Sequence, residues 1–302
     1  MLFASSSFLV VFATLICSVE SFSSSIYHGH STLTAFAATS DGSRGDSELR
    51  RKLPLDEILD RRSVLTTIPA VAAVVALSPN LALAGEGKKV VVMGGSGWLG
   101  AHVDQLLLDK GCEVVSVARS SPDEQKAKVL ANLGGSLALN GGSISYVSLD
   151  ALSDDLAKTF EGASAVISCI GVAPGQKNMR DGNGKVNIRI ADAAKAAGVS
   201  KFVYVSVASE IANGPAKFLF GDYIKGKLEA EAGIAKDYSS SDSLILKPGV
   251  VDGAPPGEIR PPGPPGMAPI PVNILAKAAV AGAFGNLVGV IDGSDAIVAV
   301  SK

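Results

Sequence analysis

Lys88-Lys89-Val90-Val91-Val92-Met93-Gly94-Gly95-Ser96-Gly97-Trp98-Leu99-Gly100 is the stretch that decides the fold. Two lysines lead into a short β-branched run, then a glycine-rich turn, then the start of an amphipathic segment. Gly94, Gly97 and Gly100 give the spacing G-x-x-G-x-x-G. In such a turn the first glycine permits the tight exit from a strand. The second lets the backbone approach a pyrophosphate, and the third lets the helix pack on the strand. The open amides and the positive dipole end of that helix then face the phosphates. This assigns Gly94, Ser96, Gly97, Trp98, Leu99 and Gly100 to dinucleotide binding.

A glycine triplet alone says little in a chain with 33 glycines, so its surroundings carry the weight. Leu99, Val103, Leu106 and Leu107 follow at helical spacing. Glu113–Ala118 reads as a second strand, closing a βαβ unit within about thirty residues, as the dinucleotide fingerprint requires. Ile144–Val147, Ala165–Ile170, Lys201–Val205 and Ser243–Lys247 read as further strands. Ser153–Phe160, Val186–Ala197 and Lys225–Ala235 between them have helical periodicity, and Gly198 is placed to close the second of these helices. The alternation predicts an α/β, doubly wound parallel sheet, a Rossmann fold, with its ligand at the carboxyl ends of the strands. Residues 253–271 hold eight prolines and read as a solvated linker or an edge loop. Val272–Phe284 reads as a helix, and Leu287–Ile291 and Ala296–Val300 as terminal strands of a small, polar-poor substrate-side extension.

The domain reading is 1–21 signal peptide, 22–60 plastid transit segment, 61–84 twin-arginine thylakoid signal or anchor, and 85–302 dinucleotide-binding domain. Residues 8–17 form an apolar core of signal-peptide length, and residues 22–40 are rich in Ser, Thr and Ala without Asp or Glu. Arg61-Arg62 followed by an Ala/Val-rich run and Ala82-Leu83-Ala84 has the form of a twin-arginine signal. A retained membrane anchor or a buried helix is the alternative for 64–84, although Pro69 and Pro79 oppose a regular spanning helix. The order of segments resembles the three-part presequences of lumenal proteins in secondary plastids. The expected location is the plastid, in the thylakoid lumen or at the thylakoid membrane.

Of 27 Lys and Arg and 29 Asp and Glu, six and seven lie in the first 84 residues, leaving 21 against 22. Without a basic stripe, nucleic acid is not an expected partner. Cys112 and Cys169 are the cysteines that remain, at the start of one strand and the end of another, and read as buried thiols. His102 is the remaining histidine, so no metal site can be assembled from this inventory.

Tyr223 and Lys227 form Y-x-x-x-K on one helical face. An ammonium beside a phenol is expected to lower the phenol's pKa and ready it for proton exchange, while also reaching the nicotinamide ribose.

With these motifs in register the domain resembles the atypical short-chain dehydrogenase/reductases. Within them it is similar to the branch that holds the NAD(P)H-binding accessory subunit of respiratory complex I and plastid relatives. The matching pieces include Gly94–Gly100, Ser116–Ser120, Val166–Gly171, Gly198–Ser206, Tyr223–Glu231 and Leu246–Gly249. The resemblance implies that Asp150 sits by the adenine, Ile170 and Gly171 along the ribose, and Pro248 on the cofactor. It further implies Tyr223 as the acid, Lys227 as its partner and as a cofactor contact, and Asn187 near the active site. Arg119 stands where an acidic residue would pair with a ribose 2′-hydroxyl, which favours NADP(H) over NAD(H). Val207 stands nearest the position where active members place a Ser or Thr, with Ser206 or Ser209 as substitutes. Two functions are therefore expected. One is an oxidoreductase acting on a small apolar, quinone- or isoprenoid-like plastid molecule. The other is an inactive NAD(P)-binding module supporting a thylakoid or quinone-related complex.

Overall fold

Strand β1 (Lys89–Met93) is flanked by two parallel neighbours, and its two faces carry different residues. Val90 and Val92 enter one core, Val91 and Met93 the other, as the two-residue period of a strand requires. The computed structural model describes residues 87–259 and 267–302. Residues 1–84, read above as signal peptide, transit segment and twin-arginine signal or anchor, lie outside the described residues. Among the described residues no helix is long and apolar enough to cross a membrane.

The elements run β1, α1 (Trp98–Leu108), β2 (Glu113–Ala118), α2 (Pro122–Asn132), β3 (Ser143–Ser148), α3 (Ala157–Phe160), β4 (Ala165–Ser168), α4 (Met179–Asn183) and α5 (Lys185–Ala196). Then follow β5 (Lys201–Val205), α6 (Ser209–Asn213), α7 (Ala216–Leu219), α8 (Gly221–Asp237), β6 (Ser243–Lys247), α9 (Val272–Ala283), β7 (Gly289–Asp292) and α10 (Ser294–Val300). All seven strands are parallel, in the order β3-β2-β1-β4-β5-β6-β7. The order reverses between β1 and β4, and the crevice at their carboxyl ends is where such sheets take ligands.

Helices α1 and α9 cover one face, burying Val103, Leu107, Leu275, Ala276 and Ala279 against Val90, Ile167 and Leu244. The small residues of α9 allow close approach: a Cβ on Gly282 would lie 2.5 Å from Leu244 Cδ2. Helices α5 and α8 cover the other face, where Ile190, Ala194, Ala230 and Ile234 pack on Val166, Phe202 and Tyr204. Gly198 takes φ +79° just past α5, so the C-cap reading holds.

Four expected elements differ. The fourth strand ends at Ser168, two residues early, because its neighbour β1 ends at Met93, whose carbonyl accepts Cys169 N–H at 2.8 Å. The helix expected over 153–160 forms only at Ala157–Phe160. Asp150 and Asp154 hold the residues before it in a turn, through Leu152 N–H to Asp150 Oδ1 at 2.9 Å and Asp150 N–H to Asp154 Oδ2 at 2.8 Å. The helix carrying Tyr223 extends to Gly221–Asp237. Ala296–Val300, expected as a strand, lies in α10: Ile297 is fully buried, and Ser301 returns its hydroxyl to the Ile297 carbonyl at 2.7 Å. The apolar run there serves a helix with one buried face.

Candidate functional site

Gly94 leaves β1 with φ +82°, and its N–H donates to the Val117 carbonyl at 2.7 Å. Gly97 N–H closes the turn onto the Gly94 carbonyl at 3.0 Å. A Cβ on Gly100 would fall 2.2 Å from that same carbonyl oxygen, so helix and turn meet only because residue 100 has no side chain. Gly97 is the N-cap of α1 in extended geometry and supplies no side-chain cap. The first-turn amides are thus left for a ligand, and the helix dipole favours an anion there.

Ser96 is buried, with its carbonyl held by Asn132 Nδ2 at 3.2 Å. Leu99 packs half-buried on the core. Trp98, the sole tryptophan, stacks edge-on to His102 with ring centroids 4.7 Å apart. Its Nε1 donates to the Asp252 carbonyl at 3.2 Å, and Gly253 lies against the indole. A bridge between Val251 and Ile270 ties off the start and return of the proline-rich stretch beside it.

Arg119 ends β2 in solvent, and its guanidinium has no hydrogen bond or ion pair among the described residues. Asp150 follows β3, with one carboxylate oxygen occupied by Leu152 N–H. Ile170 and Gly171 follow β4, where Asn183 clamps the chain. Its Oδ1 accepts from Val172 N–H at 3.2 Å and its Nδ2 donates to Val172 O at 2.9 Å. A Cβ on Gly171 would stand 2.9 Å from Asn183 Oδ1 and 3.2 Å from Lys227 Nζ. Glycine at 171 therefore lets the ammonium and the loop come together. Asn187 is buried one turn on, accepting from Ser168 Oγ at 2.5 Å and donating to Asn183 O at 2.8 Å.

Lys227 is buried, donates to the Val205 carbonyl at 2.8 Å and lies 5.0 Å from the Tyr204 ring centroid and 5.9 Å from that of Tyr223. Burial lowers its ammonium to about 8. The expected lowering of the Tyr223 phenol is not found: burial pushes it up to about 12. Lys227 donates a hydrogen bond to the Val205 carbonyl, not to the phenol, and desolvation sets the phenol's shift. Cys169, beside Lys227, is likewise held as a thiol at about 12. Neither Cys169 nor Cys112 is in a disulfide.

Val207 packs with Ile211, Ala212, Ile224 and Tyr223 in a small apolar cluster. Val207 thus shares a cluster with Tyr223, whereas the hydroxyl of its neighbour Ser206 is taken up elsewhere. Ser206 is buried, its hydroxyl donating to Glu231 Oε1. Glu231 Oε2 receives Lys247 Nζ at 3.2 Å, and Lys247 also reaches Asp292 at 3.8 Å. Glu231 lies on the Tyr223–Lys227 face of α8, two turns beyond Tyr223, so this network fixes that face to the ends of β5, β6 and β7. Pro248 is buried beyond β6, its carbonyl accepting Ala208 N–H at 2.8 Å. Asn183, Glu231 and Lys247 are singled out by no motif in the sequence. Glu231 was open to discovery as the next member of the four-residue series 223, 227, 231.

The parallel order, the crevice at β1/β4, the bare N-cap and the glycine cradle define a Rossmann-type nicotinamide dinucleotide-binding protein. A family model described as NAD(P)H-binding matches residues 94–282, and the chain belongs to that family. Fold and motif order are those of an atypical short-chain dehydrogenase/reductase.

An uncharacterised chloroplastic protein of Arabidopsis thaliana is 32% identical over 168 residues, 56% of this chain. The match covers 52% of that protein, so the chain spans about half the length of this relative. An NAD-dependent epimerase/dehydratase-type protein from Bacillus halodurans aligns over 71% of this chain and 99% of its own, with TM-score 0.53 and 20% identity. BdcA in complex with NADPH aligns over 70% and 93%, with TM-score 0.52 and 15% identity. WbmH of Bordetella bronchiseptica, in complex with NAD+, aligns over 68% and 75%, with TM-score 0.51 and 19% identity. At these identities the three structures establish the fold.

Proposed function

We propose that the protein is an NADP(H)-dependent oxidoreductase acting on a small apolar, quinone- or isoprenoid-like plastid molecule. The observation that carries the reading is the convergence of Tyr223, Lys227 and the Gly171 loop at the carboxyl end of β4. The bound dinucleotide would supply or accept the hydride. Lys227 would hold the ribose hydroxyls, and Tyr223 would give its phenolic proton to the substrate oxygen. A phenol near 12 holds its proton at physiological pH, so Tyr223 would enter the reaction in its neutral form. The walls beside it, Val207, Ile211 and Ile224, offer no hydroxyl, which favours an apolar substrate. The plastid assignment rests on the targeting segments together with the chloroplastic relative.

Turnover of NADPH with a panel of quinones and isoprenoid carbonyls tests the reading. Tyr223→Phe should reduce kcat by about a hundredfold or more while leaving the cofactor Kd unchanged. Equal turnover in the variant would remove Tyr223 from the chemistry.

Arg119 is the basis for NADP(H). Its unpaired guanidinium can meet a 2′-phosphate, and a charge-assisted contact of this kind is worth about tenfold in affinity. Arg119→Ala should therefore weaken NADPH binding by about tenfold and NADH binding hardly at all. Equal losses for both coenzymes would remove the assignment.

A second reading, a non-catalytic module that supports a thylakoid or quinone-related complex, is favoured by Val207 and by the Ser206–Glu231 bond. Together these put a valine in the phenol's cluster just past β5 and turn the adjacent serine hydroxyl to Glu231. Retained cofactor, a co-purifying partner and no turnover on any panel member would select it.

A further inference from the structure

Asp104 lies on the inner face of α1, one turn past Gly100, and is fully buried. Its Oδ2 accepts from Ser116 Oγ on β2 at 2.8 Å, and its Oδ1 has no partner among the described residues. The carboxyl stands directly behind the phosphate-binding turn. A Cβ on Gly95 would fall 2.9 Å from Asp104 Oδ2 and 2.0 Å from Ser116 Oγ.

Among the described residues no ion pair compensates it. The charged side chains of α2 (Asp123, Glu124, Lys126, Lys128) and of α9 (Lys277) are exposed. Lys89 on β1 and Glu113 on β2 sit at the amino-terminal ends of their strands, away from the turn. On α1 itself, His102 is hydrogen-bonded to the Trp98 carbonyl, and Asp109 is at the far end. Tyr146, paired with Ser116 across β3, and Cys169 after β4 are both held up at about 12 and stay neutral. Burial raises the Asp104 carboxyl to about 8, opposed in part by the Ser116 hydrogen bond.

We propose that the glycine turn takes the pyrophosphate in the state in which Asp104 carries its proton, so that dinucleotide affinity and protonation of this carboxyl are linked. The proposal rests on the turn being the pyrophosphate seat. An ionised Asp104 sets a negative charge behind the very amides that bind a doubly charged group, in an interior that screens it poorly. The linkage is reciprocal: a bound pyrophosphate holds the proton on Asp104 more firmly. Affinity therefore falls as pH rises through the carboxyl's titration.

Calorimetric titration of the full chain with adenosine diphosphate tests this. That probe has the pyrophosphate but no second ribose for Lys227, whose own charge is lost in the same range. Its terminal phosphate, with a pKa of about 6, is fully ionised throughout the range used. From about pH 7 to about pH 9.5, affinity should fall about tenfold in the wild type. In Asp104→Asn it should stay constant within about twofold over the same range. Ser116→Ala, which removes the bond that lowers the carboxyl, should shift the fall to higher pH, and it decides the matter if Asp104→Asn does not fold. Melting curves at each pH establish that the protein is folded. Affinity independent of pH in the wild type, an unchanged fall in Asp104→Asn, or an unmoved midpoint in Ser116→Ala overturns the proposal and leaves the pyrophosphate seat standing. Failure of both adenosine diphosphate and NADPH to bind at any pH overturns the seat and the proposal together.

Discussion

Replacing Gly100 by alanine is expected to abolish dinucleotide binding and to destabilise the fold. The new Cβ would lie 2.2 Å from the Gly94 carbonyl oxygen, 2.6 Å from Gly95 Cα and 2.7 Å from the Gly95 carbonyl oxygen. All three are backbone atoms, so no rotamer change relieves the clash. Helix α1 must draw back from the turn, and the amides aimed at the crevice go with it. Overpacking of this kind reaches about 3 kcal/mol, or a fall in Tm of about 6–12 °C for a domain of this size. Gly221→Ala is the matched control. Residue 221 opens α8 with nothing within 4 Å of its Cβ position, so alanine there should be neutral or mildly stabilising. Scanning calorimetry and a coenzyme titration on both variants check the pair. An unchanged Tm and Kd in Gly100→Ala would mean that α1 does not sit on the turn as described.

The second large effect is the response of stability to alkali. Asp104 titrates near 8 in the folded protein, far above the ordinary carboxylate value of 3.8. The folded state therefore holds a proton that the unfolded chain has released. Its contribution is fully present below about pH 4 and is lost progressively as pH rises through the folded value near 8. Four units of difference correspond to a contribution of order 5 kcal/mol, taken from a group with no exposed surface. Asp104→Asn should flatten this slope and be the more stable protein above about pH 8, whatever it loses at low pH. Urea unfolding at a series of pH values measures both curves. Parallel slopes for wild type and variant would clear Asp104 as their source.

Most of the sheet was legible because its strands are short β-branched runs buried on both faces, a pattern that stands out against polar connections. Helix α2 carries an equally plain local signal. Ser121, Pro122 and Glu124 form a capping box with proline at N1, and the Ser121 hydroxyl does accept Glu124 N–H. The short helices α4 and α6 have no side-chain cap in the structure, and neither they nor α7 is long enough to show a helical period. Ala296–Val300 misled because an apolar run of that length fits a strand or a one-sided helix equally well.

The geometry of the glycine turn was legible, since its glycines answer to local backbone constraints. The Tyr223–Lys227 pair was found, but its electrostatics were not. Spacing reports which side chains share a face and says nothing of how dry that face is. Asp104 was hidden for the same reason. A single acid next to Val103 looks solvent-bound on paper, and only the seating of α1 on β2 shows that it is interior.

The knot at Val251 and Ile270, moored to Trp98, has an evolutionary corollary. Ile270 N–H donates to Val250 O and Asp252 N–H to Ile270 O, both at 2.8 Å, so the proline-rich excursion departs and returns through one fixed gate. Because closing a loop costs only slowly more as it lengthens, insertions and deletions beyond that gate need not disturb the coenzyme seat. A lineage carrying this chain can therefore lengthen or shorten that stretch without unseating α1 from the glycine turn.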